Sequence, residues 1–513
     1  MALREFLNTL GFVENPFQFT NADEEEHLQT YFVPPPYFNS VWGDPEFPKS
    51  QVVFAPRGGG KSAQRRMIEY KALTADVFVI TYDRFERLAG VDLESLSVEY
   101  HLRNIVELAL LGFLLEYHSR GILAPSFTKL ERDQIDLLCQ YYLSRTTRFE
   151  AIEALNSLKT LSAKAKEFLR EWSAPVSSLF STALTAKGIP HGKVDLSHVG
   201  THEKVTRAQK SHFELVRDLL KSIGFKAVYV LIDKVDETAE TGNNAELSFN
   251  LVKPLIRDLE LLQIKSTGFK FFLWDLLMSR YQEYARPDRL EQFELSWTQS
   301  DLTAMLSRRL EAFSNGKVHD LSDLTNAGLA EPLHYLVVLF AQGSPRDMIR
   351  VCQEILTEQL QINPNSTTIE VDAVVQGIVK FSTRRAQEII QPQVFRDLVK
   401  VGRLDFTASY VANEVFKIDV NSARNKIRQW TESGVVQKVG ELDSGGRPIY
   451  HYAVTDIRVA KAITSQLSFV IFLQNKFRTC HRCAILLIRD WDSGSIQTCH
   501  GCGCEYPAHE TAR

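Results

Sequence analysis

The chain has 513 residues, 44% hydrophobic and 24% charged, with 59 Lys and Arg against 63 Asp and Glu for a formal net charge of -4. These are ordinary values for a globular chain that buries a sizeable core in about three or four domains; they exclude the global basic signature of a nucleic-acid coat protein, so any such contact must come from a local patch. No stretch approaches the roughly 18 uncharged apolar residues of a membrane span and Met1 to Phe12 hold no signal-peptide pattern, so no membrane contact and a cytoplasmic location are expected.

Taken in chain order, residues 1–50 are rich in aromatics and prolines and predict an irregular lead-in packed on a core. Gln51 to Ala55 is a short apolar run, followed by a glycine cluster and a helical stretch from Lys61 to about Leu73. Asp76 to Tyr82 predicts a second buried strand. Residues 97 to about 175 read as several helices, and Ala183 to Lys210, with Gly188, Pro190 and Gly192, as a loop. Lys226 to Asp233, Phe269 to Asp275 and Gln292 to Trp297 predict three more strands, with a helix from about Ala245 to Leu262 between the first two. Strands alternating with helices imply a parallel sheet covered on both faces. Gln299 to about Thr383 is all helical, 394–456 reads as helices followed by a strand pair, and Ile457 to Phe477 as one more helix.

The glycine cluster carries the first chemistry. Ala55-Pro56-Arg57-Gly58-Gly59-Gly60-Lys61-Ser62 follows a strand and opens a helix, the context a Walker A phosphate loop requires. Glycines let backbone amides close around phosphate, and the helix N-terminus adds its dipole. Arg57, Gly58, Gly59, Gly60, Lys61, Ser62 and Ala63 are the expected nucleotide-binding residues, for ATP with magnesium. Lys61 would reach the β- and γ-phosphates and Ser62 would offer its hydroxyl to the metal; the usual first Gly is Ala55. Val228 to Asp233 is an apolar strand ending in an acid, as a Walker B strand must be to present a carboxylate to hydrated magnesium. The next residue is Lys234, where many related ATPases carry the Glu that orients the attacking water. Asp236 and Glu237 are the remaining candidates for water activation; the other reading of both is capping of the following helix.

These spaced motifs resemble the AAA+ superfamily, and within it the origin-recognition and replication-initiator ATPases, with STAND and KAP NTPases as near relatives; the likeness runs from about Asn15 to Asp456. It implies an α/β P-loop NTPase of AAA+ type. Asp275 then holds the sensor-1 position. Ala285 to Leu290 resembles the segment that supplies arginine fingers, which makes Arg286 a candidate; the other reading is that Arg286 and Arg289 are surface arginines paired with Asp288 or Glu291. Trp297 to Leu302 resembles the start of a helical lid, and Gly343 to Asp347 resembles sensor 2, with Arg346 reaching back to the nucleotide. The long separation of the second and third strands implies a helical insertion.

Residues 394–456 look like a winged helix. Asn421 to Trp430 forms a helix in which Ala423, Ile427 and Trp430 face the core while Asn421, Arg424, Asn425 and Arg428 face out. Arg424, Lys426, Arg428 and, on the wing tip, Arg447 are the candidates for attraction to DNA phosphates; the alternative is a domain that contacts protein only. Cys480-x2-Cys483-x15-Cys499-x2-Cys502 has the paired-knuckle spacing of a four-thiolate structural zinc site in a reducing compartment.

The expected organisation is a lead-in at 1–50, an ATPase domain at 51–298 with its insertion at about 97–175, a helical lid at 299–385, a winged helix at 390–456, and a helix with zinc ribbon at 457–513. The expected activity is that of an ATP-binding switch or DNA-associated oligomeric ATPase, with hydrolysis slowed by Lys234. The alternatives are a STAND-like scaffold without direct DNA binding and a replication initiator or helicase loader. Partners would be ATP, duplex DNA, and further copies of the chain or an effector protein. Family analogy alone adds antiphage defence or mobile-element biology.

Overall fold

The apolar runs form one parallel sheet. Its strands are β1 (Gln51–Ala55), β2 (Val77–Tyr82), β3 (Ala227–Ile232), β4 (Thr267–Trp274) and β5 (Glu291–Glu294). In the computed structural model they lie in the order β2-β3-β4-β1-β5, every neighbour pair parallel. Every residue of β1, β2 and β3 is buried, which is why those segments read as continuous apolar runs rather than alternating ones. β5 is the mostly exposed edge and ends at Glu294, short of the Trp297 expected from the sequence.

The structure describes residues 3–85, 88–186, 202–326, 328–329, 331–442, 448–480, 482, 486–488, 497–498 and 504–506. They group into two units, Pro34–Ser296 on one side and Met1–Val33 with Trp297–Arg513 on the other. The lead-in therefore divides between them at Val33.

In the first unit, the residues between β2 and β3 fold as helices. The longest early one, Val98–Ser119, runs against β2 and against a second long helix, His202–Ser222. Its Gly112 faces Phe78 so closely that a Cβ there would lie 2.3 Å from the ring; only glycine fits. The sheet-side face of this insertion also buries His101, whose ring nitrogens meet the Tyr82 hydroxyl at 3.0 Å and the Leu251 carbonyl at 2.8 Å. The loop expected at Ala183 to Lys210 is overturned at both ends. One helix runs Leu179–Ala186 and another starts at His202. Phe213, Val216 and Leu220, all buried, form the apolar face of the second helix's C-terminal half. Gly188, Pro190 and Gly192 lie outside the described residues.

In the second unit, Thr298 and Asp301 form a capping box that opens the helix Gln299–Ser314. The helices Leu333–Ala341, Pro345–Ile362 and Val371–Ile389 follow. Then come a helix Pro392–Val401, a short strand β6 (Asp405–Thr407), a π-helical turn Val411–Phe416, a helix Val420–Glu432 and a hairpin of β7 (Val436–Leu442) and β8 (Ile449–Val454). β6 pairs antiparallel with β8. Of the helices expected in this segment, the one after β6 is short, Ala408–Tyr410, and runs directly into the π-helical turn. The single helix expected at Ile457 to Phe477 is two, Ile457–Ile463 and Phe469–Lys476. In the tail, Phe477–Thr479 pairs with Leu486–Ile488, and Gln497–Thr498 with Glu505–Tyr506. Among the described residues no helix is long and apolar enough to cross a membrane.

Candidate phosphate-binding site

The phosphate loop sits at the C-terminal end of β1, between the last strand residue, Ala55, and the helix Lys61–Ala72. Gly58 and Gly60 take φ of 76° and 96°, the left-handed region that glycine enters without a Cβ clash, so the chain can curl inside the loop. A Cβ on Gly59 would meet the Pro56 carbonyl at 2.9 Å. The three glycines are thus needed for geometry rather than for flexibility.

Lys61 lies across the loop, with its ammonium donating to the Ala55 carbonyl at 3.1 Å and the Pro56 carbonyl at 3.4 Å. Desolvation lowers its pKa below the ordinary lysine value, against the opposing pull of Asp236, Asp233, Asp275 and Glu237. Those four carboxylates are the acids singled out from the sequence, and all four act on the one lysine.

The second half of the site comes from the tip of β3. Asp233 is 1% exposed. The Ser62 hydroxyl donates to its Oδ2 at 2.9 Å, which brings the end of the phosphate loop and the acidic strand tip together across 171 positions of sequence. The Lys234 backbone N–H donates to Oδ1 at 2.9 Å. Ser62 and Asp233 carry the oxygens that would hold magnesium at such a loop.

Lys234 has φ of 59°, left-handed and uncommon for a non-glycine residue. Its ammonium lies 3.3 Å from Asp83 Oδ2, just past β2. Asp236 is buried and accepts from Arg57 Nε at 2.8 Å, while the Arg57 guanidinium lies 4.0 Å over the Trp274 ring. A charge-assisted bond of this kind contributes about 1.5–3 kcal/mol, and the stacking about 0.5–1 kcal/mol more. Arg57 therefore has two partners inside the site. Asp275, half-buried, opens a short 3-10 turn directly after β4; Glu237 is exposed.

Two members of the site gave no motif signal. Arg65 is 1% exposed and donates from Nε to Asp233 Oδ2 at 2.9 Å, with a second nitrogen on Glu69. Glu69 also accepts from the Thr81 hydroxyl at 2.6 Å. Their only sequence signal is spacing: Lys61, Arg65 and Glu69 follow at four-residue intervals and so share one helix face.

Other expected residues lie elsewhere. Arg286 is exposed and forks onto Asp288 with two bonds of 2.9 Å, while Arg289 approaches the same carboxylate at 3.6 Å. Arg346 belongs to the second unit, exposed in the first turn of Pro345–Ile362. Its neighbour Asp347 is buried and accepts from Arg385 at 2.9 Å and Arg458 at 2.5 Å. In Val420–Glu432, Ala423, Ile427 and Trp430 are buried, and Asn421, Arg424, Asn425 and Arg428 are exposed. Lys426 instead bonds Asp397 at 2.8 Å. Arg447 lies outside the described residues, as do Cys483, Cys499 and Cys502; Cys480 is buried. Among the described residues no cluster of three or more His, Cys, Asp or Glu is arranged to hold a metal.

No protein-family model matches this chain, and no curated protein matches it. Two solved structures are similar to it. The Aeropyrum pernix ORC1 protein in complex with DNA is 10% identical at a TM-score of 0.38, over 87% of this chain and 96% of that one. The Aeropyrum pernix ORC2 protein, in ADPNP–ADP complexes, is 10% identical at a TM-score of 0.38, over 86% of this chain and 98% of that one. The all-parallel sheet order and the glycine loop between β1 and its helix give this chain an α/β P-loop NTPase fold.

Proposed function

We propose that the chain binds ATP with magnesium and hydrolyses it slowly, using the bound triphosphate as a switch. The observation that carries this reading is the 2.9 Å bond from Ser62 to Asp233, which joins a glycine loop at a helix N-terminus to a buried acid at a strand tip. Magnesium, when held by Ser62 and Asp233, would polarise the β- and γ-phosphate oxygens. Lys61 would neutralise the charge that develops there, and the loop amides would orient the chain of phosphates.

Slow turnover is supported by two placements. The position after Asp233 carries an ammonium facing Asp83 rather than a carboxylate facing a water. Asp236 is held by Arg57, so its service as a base requires that pair to part. Arg286 as a finger to a second copy and Arg346 as a lid residue complete the proposal, with ATP closing the lid and drawing copies together. The segment 390–456 would act as a winged helix. Arg424 and Arg428, exposed on one helix face, would then meet DNA phosphates. In the tail, short antiparallel strand pairs flank each of the two Cys-x2-Cys segments, which suits four thiolates of Cys480, Cys483, Cys499 and Cys502 around a structural zinc.

A second reading, a loader or initiator that turns over ATP on DNA, is favoured by the outward arginines of Val420–Glu432. Steady-state ATPase rates with and without duplex DNA separate the two. Slow, DNA-insensitive turnover with ATP-dependent assembly supports the switch; strong stimulation by DNA overturns it in favour of the loader.

A further inference from the structure

We propose that the Arg65 guanidinium supplies, from within the protein, part of the positive charge that a divalent cation brings to Asp233, so that this site holds nucleoside triphosphate with only a weak dependence on magnesium. The proposal rests on the reading that the loop binds ATP.

The geometry is that of a carboxylate already satisfied. Asp233 Oδ2 accepts from Arg65 Nε and from the Ser62 hydroxyl, each at 2.9 Å, and Oδ1 accepts from the Lys234 backbone at 2.9 Å. A carboxylate offers about four lone-pair directions, so roughly one remains for a metal-bound water. The charge count points the same way. Arg65 cannot lose its proton, and at 1% exposure little solvent screens it. Beside it stand two carboxylates, Asp233 and Glu69, both within its reach. With Arg65 in place the trio carries one net negative charge; without it, two. A divalent cation is therefore drawn to a site of half the charge, while the triphosphate faces an extra fixed cation close to Ser62. Lys61 alone would leave the usual arrangement, in which the metal neutralises the acid at the strand tip.

The test is ATP binding by titration calorimetry of the full chain, in magnesium and in EDTA, read as the ratio of the two dissociation constants. The native chain should show a ratio below about tenfold, and Arg65→Gln should raise it by about 10- to 100-fold, chiefly through weaker binding in EDTA. A purely structural Arg65 would weaken both constants alike and leave the ratio unchanged, which overturns the proposal. So does a native ratio of about 100-fold or more. Glu69→Gln provides an arm that holds if Arg65→Gln does not fold: it keeps the guanidinium and removes one carboxylate, so its ratio should fall below the native one, and a rise contradicts the proposal. No ATP binding by the native chain in either condition sinks the ATP reading itself, an outcome distinct from an unexpected ratio.

Discussion

Asp233→Asn removes the strand-tip charge with almost no change of side-chain shape, and it should nevertheless disturb the fold. Arg65 and Asp233 are each 1% exposed and bonded at 2.9 Å. Removing one member of a buried ion pair costs about 3–5 kcal/mol, because the survivor's charge stays in a poorly solvating site. Glu69 remains as a partner for Arg65, so the lower end applies, about 3 kcal/mol. Asparagine has one amide oxygen, so it can accept from the Lys234 N–H on one side or from the Ser62 hydroxyl on the other but not from both, and that loss adds to the cost. For a unit of this size each kcal/mol moves the thermal midpoint by about 2–4 °C, so a drop of roughly 6–12 °C is expected. Thermal unfolding by circular dichroism, with Arg65→Met and the double variant completing a cycle, reads it. The double variant should be no more stable than Asp233→Asn, because it leaves the buried Glu69 carboxylate without its arginine. An Asp233→Asn midpoint within about 1 °C of the native one would refute the claim that this carboxylate is tied to a buried cation.

Three other outcomes follow from the same physics. Burial pushes His101 down to about 4 from an ordinary 6.5, so below pH 6.5 the unfolded chain takes up a proton that the folded chain refuses. Stability should fall by about 3 kcal/mol as pH drops from 6.5 to 4 and be indifferent to this group above 6.5; His101→Gln, followed by urea unfolding across that range, should lack this part of the acid limb. Asp347→Ala strips a shared acceptor from Arg385 and Arg458, which keep Glu388 and Asp456, and should cost about 2–3 kcal/mol; a loss under about 0.5 kcal/mol in urea unfolding would contradict the buried pairing. Replacing Arg424 and Arg428 by Ala should weaken DNA binding and reduce the slope of log affinity against log salt by about two; an unchanged slope in a fluorescence anisotropy titration would take that helix off the DNA.

The fold was most legible where local pattern and tertiary role coincide. β1, β2 and β3 are buried on both faces, so their apolar runs stand out without any knowledge of the partner strands. The phosphate loop was legible for a related reason: its function is carried by contiguous residues whose backbone does the work. The expected faces of Val420–Glu432 follow from helical period alone. What stayed hidden depends on distant partners. Arg65 finds Asp233 across 168 positions and Lys234 finds Asp83 from another strand end, pairings that no periodicity records. A buried arginine in an amphipathic helix reads as a solvated one until its carboxylates are in view. The helix from His202 was obscured by glycine and proline upstream of it, while its apolar face declares itself only from Phe213 onward. The turn at Val411–Phe416 keeps the composition of an α-helix but widens to π spacing.

The central claim is that Lys61 and its loop hold a triphosphate, and titration of ATP into the native chain and into Lys61→Ala tests it most directly. The native chain should show saturable one-site binding in the micromolar range and the variant a loss of about 100-fold or more, while the thermal midpoint without nucleotide changes little. Equal affinity of the two chains, or no binding by the native one, would contradict it.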